Sequence, residues 1–269
     1  MNEGTDPRFS RLRLESGTRL HYAEYGNRDG EPVVFVHGWP DSWFSFSRVL
    51  SLLPEEIRGL AFDQRGFGDS DHPDSGYSIP EMAADVLGFL DALGIDRATL
   101  VGHSFGSFVA RQAAIAHPRR VAALVLIGTG FSTSNPVTRE LQIALRDLPD
   151  PIPVDFARDF QAGTIYHPVP AEFFERIVAE SLKLPQRLWR LAIDHMLAYD
   201  DTRQLGRIEA QTCLLWGDHD ALFSRMDQDR FVETRPSTRL KVFEETGHCP
   251  NWERPERVAA EIAALVGCS

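Results

Sequence analysis

Short apolar runs alternate with helical patterns along this chain, and no other feature of the sequence restricts the fold as strongly. The runs lie at 33–36, 59–62, 98–101, 121–127 and 212–216, and a last strand-like run follows at 239–243. Apolar runs of this length indicate strands that are buried on both faces, as in a parallel sheet. Helical patterns occupy 43–53, 80–93, 105–116 and 255–266. The alternation predicts an α/β fold with a doubly wound, mostly parallel sheet.

Two further segments, 9–14 and 20–25, alternate polar and apolar residues in the manner of strands with one exposed face,. A turn at Ser16-Gly17 separates them. We expect an antiparallel ribbon at one edge of the sheet, which brings the sheet to eight strands.

The stretch 131–206 differs from the rest because it contains no convincing buried strand. It is rich in proline and has helical patterns near 138–146, 171–182 and 186–199. A connection this long inside a compact domain usually has a role such as a lid. We therefore predict a core domain formed by 1–130 and 207–269, with 131–206 inserted as a helical cap.

The segment Gly102-His103-Ser104-Phe105-Gly106 follows the run 98–101 and opens a helical pattern. This is the G-x-S-x-G pattern in its required strand–turn–helix context, where the serine sits on a sharp, strained turn. The alternative is a glycine-rich loop with a capping serine, but the position at a strand end favours a nucleophile. The pattern predicts Ser104 as the nucleophile.

A serine hydroxyl needs a base, and the base needs a carboxylate on its other nitrogen. His248 lies in a loop just after the last predicted strand, and Asp218 and Asp220 follow the strand before it. Asp218 is next to Gly217, where aspartate commonly forms a turn. We therefore predict His248 as the base and Asp220 as the acid, in the chain order Ser, Asp, His.

Backbone N–H groups are expected to bind the oxyanion that forms during acyl transfer. One donor is the N–H of Phe105, the residue after the nucleophile. The other is expected in the loop after 33–36, where Gly38 lets the backbone bend and the N–H of Trp39 can point inward. Pro40 has no N–H, which narrows the choice. For His37 we expect a hydrogen bond that holds this loop.

The formal net charge of −11 argues against nucleic acid and against anionic membranes as partners,. Three cysteines without metal-ligand spacing fit a reducing cytoplasm and predict neither a disulfide framework nor a metal site,. No cofactor is expected. The expected partner is a small-molecule substrate, and a homodimer is compatible with the sequence.

Together these residues resemble the α/β-hydrolase superfamily over nearly the whole chain. The resemblance rests on His37-Gly38-Trp39-Pro40, on the 63–70 loop, on Gly102 to Gly106, on Gly217 to Asp220 and on Gly247-His248. It implies an α/β-hydrolase fold with a helical cap, and a member with a serine nucleophile of the esterase or lactonase type.

The stretch from His37 to Asp41 also resembles epoxide hydrolases and haloalkane dehalogenases, which use an aspartate nucleophile. Ser104 points instead to the cleavage of a small carboxylic ester or lactone. Carbon–carbon bond hydrolysis and cofactor-free haloperoxidase or perhydrolase activity use the same triad. Some plant hormone receptors also share the fold and the triad, so a small-molecule receptor is a further alternative.

Aromatic side chains are expected to form a mostly apolar substrate pocket. For each of these side chains the alternative is packing in the protein core, and for Trp189 core and pocket are equally favoured. Besides Trp39 and Phe105, the predicted pocket residues are Trp43, Phe131, Tyr166, Trp189 and Tyr199.

Overall fold

In the computed structural model, which describes residues 6–267, eight strands form one sheet. Residues 1–5 and 268–269, the outer ends of the predicted core domain, lie outside the described residues. The order across the sheet is β1-β2-β4-β3-β5-β6-β7-β8. The strands are β1 (Arg8–Arg13), β2 (Arg19–Tyr25), β3 (Glu31–Val36), β4 (Ile57–Phe62), β5 (Ala98–His103), β6 (Val121–Ile127), β7 (Gln211–Gly217) and β8 (Arg239–Phe243).

Only β2 runs against its neighbours, since it pairs antiparallel with both β1 and β4. The remaining pairs, from β4–β3 through β7–β8, are parallel. The predicted fold class is therefore confirmed, including the antiparallel ribbon at the edge.

Helices cover both faces of the sheet. Val34 and Val36 of β3 belong to the core on one face, while Val33 and Phe35 belong to the core on the other. Because side chains alternate along a strand, a run buried on both sides must be apolar throughout. The first face carries α2 (Ile79–Ala92) and α3 (Phe105–Ala116), and the second carries α1 (Ser47–Leu50) and α10 (Pro255–Val266).

Between β6 and β7 the chain forms four helices: α4 (Pro136–Ala144), α5 (Val154–Ala162), α6 (Ala171–Ser181) and α7 (Gln186–Leu197). We refer to 131–206 as the helical segment. It packs on the loops that follow the carboxyl ends of the strands: the rings of Phe160 and Trp189 lie 5.0 and 4.9 Å from that of Trp39. Helix α5 was not predicted, and neither were α8 (Arg225–Thr234) and α9 (Pro250–Glu253).

Between residues 6 and 267, no helix combines the length and the apolar character needed to cross a lipid bilayer.

Candidate active site

Ser104 occupies a strained turn between β5 and α3. Its φ of 49° lies in the left-handed region that a non-glycine residue seldom adopts,. Glycine is required on either side of Ser104, at 102 and 106, because a side chain would collide with the backbone there. A Cβ on Gly102 would lie 2.5 Å from the carbonyl oxygen of Gly106, and a Cβ on Gly106 would lie 2.2 Å from that of Val36. This tight turn leaves Ser104 half-buried, while the residues on either side of it are buried.

His248 and Asp220 form a buried hydrogen-bonded pair, with 2.9 Å between His248 Nδ1 and Asp220 Oδ2. The other carboxylate oxygen of Asp220 accepts from the backbone N–H groups of Leu222 (2.8 Å) and Phe223 (3.0 Å), which fixes the carboxylate. A carboxylate at Nδ1 places the imidazole proton there, so Nε2 presents a lone pair. Nε2 is buried and has no hydrogen-bond partner among the described residues.

One cavity is lined by both Ser104 and His248. The structure thus brings together the three residues that were predicted as nucleophile, base and acid.

No hydrogen bond or ion pair among the described residues joins Asp218 to His248. Its Oδ1 accepts from the N–H of Thr246 at 3.3 Å and lies 3.9 Å from Nε2 of the exposed His219. These contacts are those of a turn residue, whereas Asp220 occupies the position behind the imidazole.

Trp39 and Phe105 line the same cavity as Ser104. No loop or turn hydrogen bond of the described residues uses the backbone N–H of either residue. Phe105 is the first residue of α3, where N–H groups have no partner within the helix,. Both N–H groups therefore remain available as donors.

His37 holds the loop after β3. It is fully buried, and its Nε2 accepts from the N–H of Gln64 at 3.1 Å, so its Nδ1 donates to the carbonyl of Gly38 at 2.7 Å. Burial lowers the pKa of the His37 imidazole, which keeps this ring neutral. His37 therefore acts as the sequence suggested, as a support of the loop.

The walls of the cavity are mostly apolar, and the helical segment supplies many of them. The apolar wall residues include Phe105, Leu141, Phe160, Ile193, Met196 and Phe223. The first comes from α3, the next four from α4, α5 and α7, and the last from the loop after β7.

None of the five other predicted pocket side chains lines this cavity. Two of them are core residues. Trp43 packs edge-on against Phe9 and Phe44 on the opposite face of the sheet. Trp189 is fully buried and packs edge-on against Trp39, which itself lines the cavity.

The remaining three point elsewhere. Tyr166 is 45% exposed and stacks on His219 with 3.8 Å between the ring centroids. Tyr199 donates its hydroxyl to Gln112 of α3 at 2.7 Å. The partly buried Phe131 packs on the core beneath the guanidinium of Arg230.

A polar corner of the cavity, formed by Asp41, His103 and Gln161, was not predicted. Gln161 Nε2 donates to Asp41 Oδ1 at 3.0 Å, and His103 Nε2 lies 3.3 Å from the carbonyl oxygen of His248. Burial raises the pKa of the Asp41 carboxyl to about 7. Burial also lowers the pKa of the His103 imidazole well below its usual value. Asp41 belongs to the 37–41 motif, so the sequence held a signal for it, whereas Gln161 lies on the unpredicted α5.

The loop that carries His248, the predicted base, is bonded to the helical segment. The N–H of His248 donates to the carbonyl of Thr164 at 2.8 Å. The carboxylate of Glu253 accepts from the N–H groups of Gly247 (2.8 Å), Tyr166 (3.0 Å) and His167 (2.8 Å). These bonds fix the position of His248 relative to the cavity wall.

Fold and site together define a class of proteins, the hydrolases in which a residue on a strand–turn–helix elbow faces a histidine and an acid from later loops. A family model described as "alpha/beta hydrolase fold" matches residues 31–255. The chain belongs to the α/β-hydrolase family.

Individual relatives differ in the reactions that their names describe. A non-heme chloroperoxidase of Streptomyces lividans is 31% identical, over 93% of this chain and 96% of its own length. Epoxide hydrolase 2 of Siraitia grosvenorii is 39% identical, but the match spans only 45% of this chain and 39% of that protein. Among solved structures, an esterase of Exiguobacterium antarcticum has a TM-score of 0.85 at 22% identity, covering 97% of this chain and all of that one.

Proposed function

We propose that this protein is a serine hydrolase that cleaves a small carboxylic ester or lactone through an acyl-enzyme on Ser104. One observation carries the proposal: Asp220 bonds Nδ1 of His248 and leaves Nε2 without a partner, and His248 and Ser104 line the same cavity. A neutral imidazole held in this tautomer is the base that a serine hydroxyl requires.

In the first half of the reaction, His248 Nε2 takes the proton of the Ser104 hydroxyl as its oxygen attacks the ester carbonyl. The N–H groups of Trp39 and Phe105 donate to the oxyanion, and Asp220 stabilises the imidazolium. The imidazolium then protonates the departing alkoxide, so the alcohol leaves and the acyl group stays on Ser104.

In the second half, His248 takes a proton from water, and the hydroxide that forms attacks the acyl carbonyl. The tetrahedral intermediate collapses, His248 returns its proton to the Ser104 oxygen, and the carboxylic acid leaves. The helical segment serves as a cap, because its apolar side chains form much of the cavity wall and limit how much water surrounds the acyl group,.

Epoxide hydrolysis fits Ser104 poorly. Attack of a serine oxygen on an epoxide would form an ether on the enzyme, and a base with water does not cleave an ether. An aspartate nucleophile would form an ester, which water does cleave. Ser104 therefore supports acyl transfer in spite of the partial match to epoxide hydrolases.

The chloroperoxidase relative favours a second candidate that uses the same intermediate. Hydrogen peroxide in place of water would attack the acyl group on Ser104 and release a peracid. Hydrogen peroxide is added to the ester assay together with a halide. A peracid would oxidise the halide, whereas simple hydrolysis would not, so halide oxidation distinguishes the two reactions.

The test is covalent labelling with a fluorescent alkyl phosphonate, read by mass spectrometry, together with the hydrolysis of p-nitrophenyl butyrate. We expect the label on Ser104, and we expect Ser104→Ala to lose both label and activity. Ser132→Ala is the matched control, because the Ser132 hydroxyl accepts from the N–H of Ser134 and should not affect either measurement. Label on another residue, or cleavage of vinylogous diketones but not of esters, would overturn the proposal.

A further inference from the structure

Two polar atoms without partners lie side by side in the polar corner of the cavity. Asp41 Oδ2 and His103 Nδ1 are 3.8 Å apart, which is too long for a hydrogen bond between them,. His103 Nδ1 is buried and has no partner among the described residues, and no described residue donates to Asp41 Oδ2. A buried polar atom without a partner costs stability and usually reflects a role.

The hydrogen bonds of His103 define what its free nitrogen needs. Nε2 faces the carbonyl oxygen of His248, which only accepts, so Nε2 carries the proton,. Burial lowers the pKa of this imidazole, so the ring is neutral and Nδ1 presents a lone pair. Nδ1 therefore requires a hydrogen-bond donor.

Asp41 faces the same space from the other side. Gln161 donates to Oδ1, so Oδ2 is the oxygen left for a further contact. Burial raises the pKa of this carboxyl to about 7, so a large share of it carries a proton at neutral pH. In that form Oδ2 is a donor.

Both atoms are close to the nucleophile, as the surroundings of Gly38 show. A Cβ on Gly38 would lie 2.9 Å from His103 Nδ1, 3.1 Å from Asp41 Oδ2 and 3.3 Å from the Cβ of Ser104. In an acyl-enzyme the carbonyl carbon is two bonds from that Ser104 Cβ. A substituent on the first carbons of the acyl chain therefore reaches the Asp41–His103 pair.

We propose that the Asp41–His103 pair binds a hydroxyl group of the substrate, on the second or third carbon of the acyl chain. A hydroxyl donates to His103 Nδ1 and accepts from Asp41 Oδ2, so it satisfies both atoms at once. The substrate class is then esters or lactones of short 2- or 3-hydroxy acids. This inference rests on the proposed acyl transfer at Ser104.

Matched substrates test the inference in the unmodified protein. We measure kcat/KM by acid release for ethyl butyrate, for its 2- and 3-hydroxy derivatives, and for the O-methyl ether of each derivative. Because the hydroxyl would form two hydrogen bonds, we expect kcat/KM for one of the hydroxy esters to exceed that for ethyl butyrate by about tenfold. The methyl ether, which cannot donate to His103, should lose that preference. Equal values for the hydroxy and methoxy esters would overturn the inference.

Variants of Asp41 then separate binding from support of the fold. Asp41→Asn keeps an oxygen for Gln161 and places an NH2 donor at the position of Oδ2, so the preference should remain. Asp41→Ala should reduce the ratio of kcat/KM for the preferred hydroxy ester to kcat/KM for ethyl butyrate to near one. Asp218→Ala, the matched control, should leave the ratio unchanged.

A preference that survives in Asp41→Ala would refute the assignment, and if this variant does not fold, the comparison of hydroxy and methoxy esters decides alone. Phosphonate labelling of Ser104 distinguishes a failure of this inference from a failure of the proposed function. If Ser104 is labelled but no hydroxyl preference is found, only this inference is refuted. If Ser104 is not labelled, the proposed function is refuted as well.

Discussion

Replacing Asp220 by asparagine tests the proposed roles of Asp220 as acid and His248 as base. The backbone N–H groups of Leu222 and Phe223 donate to Asp220 Oδ1, so the amide oxygen of an asparagine must take that position. The amide NH2 then faces His248 Nδ1, at the position from which Oδ2 now accepts. Because Nδ1 must accept from this NH2, the imidazole proton moves to Nε2, and the base can no longer take a proton from Ser104.

The expected result is a loss of about 10,000-fold in kcat, the size found when the acid of such a triad becomes an amide. That factor corresponds to about 5 kcal/mol of transition-state stabilisation. The melting temperature should change little, because both backbone donors keep an oxygen acceptor. Steady-state hydrolysis of p-nitrophenyl butyrate and thermal unfolding by circular dichroism measure the two quantities.

Asp218→Asn is the matched control for this substitution. It changes an exposed side chain that has no hydrogen bond or ion pair with His248 or Ser104 among the described residues, so kcat should stay within about threefold,. The reasoning fails if Asp220→Asn costs less than about tenfold, or if Asp218→Asn is the more damaging of the two.

Two further predictions concern stability. Ser104→Gly removes the strain of a positive φ and should raise the free energy of unfolding by about 1 kcal/mol, or the melting temperature by about 2–4 °C, while abolishing hydrolysis,. Ser104→Ala keeps the strain, so an equal gain in that variant would contradict the explanation. Glu253→Gln replaces one accepting oxygen by an NH2 group and leaves at least one N–H without its partner, which should cost about 1–3 kcal/mol,. Urea denaturation measures this cost, and an unchanged midpoint would show that the carboxylate bonds contribute nothing.

The sheet could be predicted because burial on both faces is visible in the sequence. β6 begins and ends where its apolar run does, and β8, α3 and α10 also match the predicted ranges. The positions of Ser104, Asp220 and His248 followed from the same reasoning, because each lies just beyond a strand and parallel strands end at one edge of the sheet.

The pocket could not be predicted in the same way. Trp189 and Ile193 lie one helical turn apart on α7, yet the first is behind the wall and the second forms part of it. Trp189 packs instead against Trp39 and Phe160, so the difference is a property of tertiary packing. α5 was missed because prolines at 149, 151 and 153 interrupt the chain just before it, although five of its nine residues are apolar and Phe156 and Phe160 have the i, i+4 spacing of a helix,.

The bonds from Thr164 and Glu253 to the loop of His248 have a consequence for engineering. A chimera that takes its whole helical segment from another family member, in order to widen the substrate range, would also replace part of the scaffold that holds His248, the proposed base. Grafts that retain residues 164–167 of the host should keep turnover while exchanging the walls. The junctions of such a chimera should therefore lie inside the helical segment rather than at its ends.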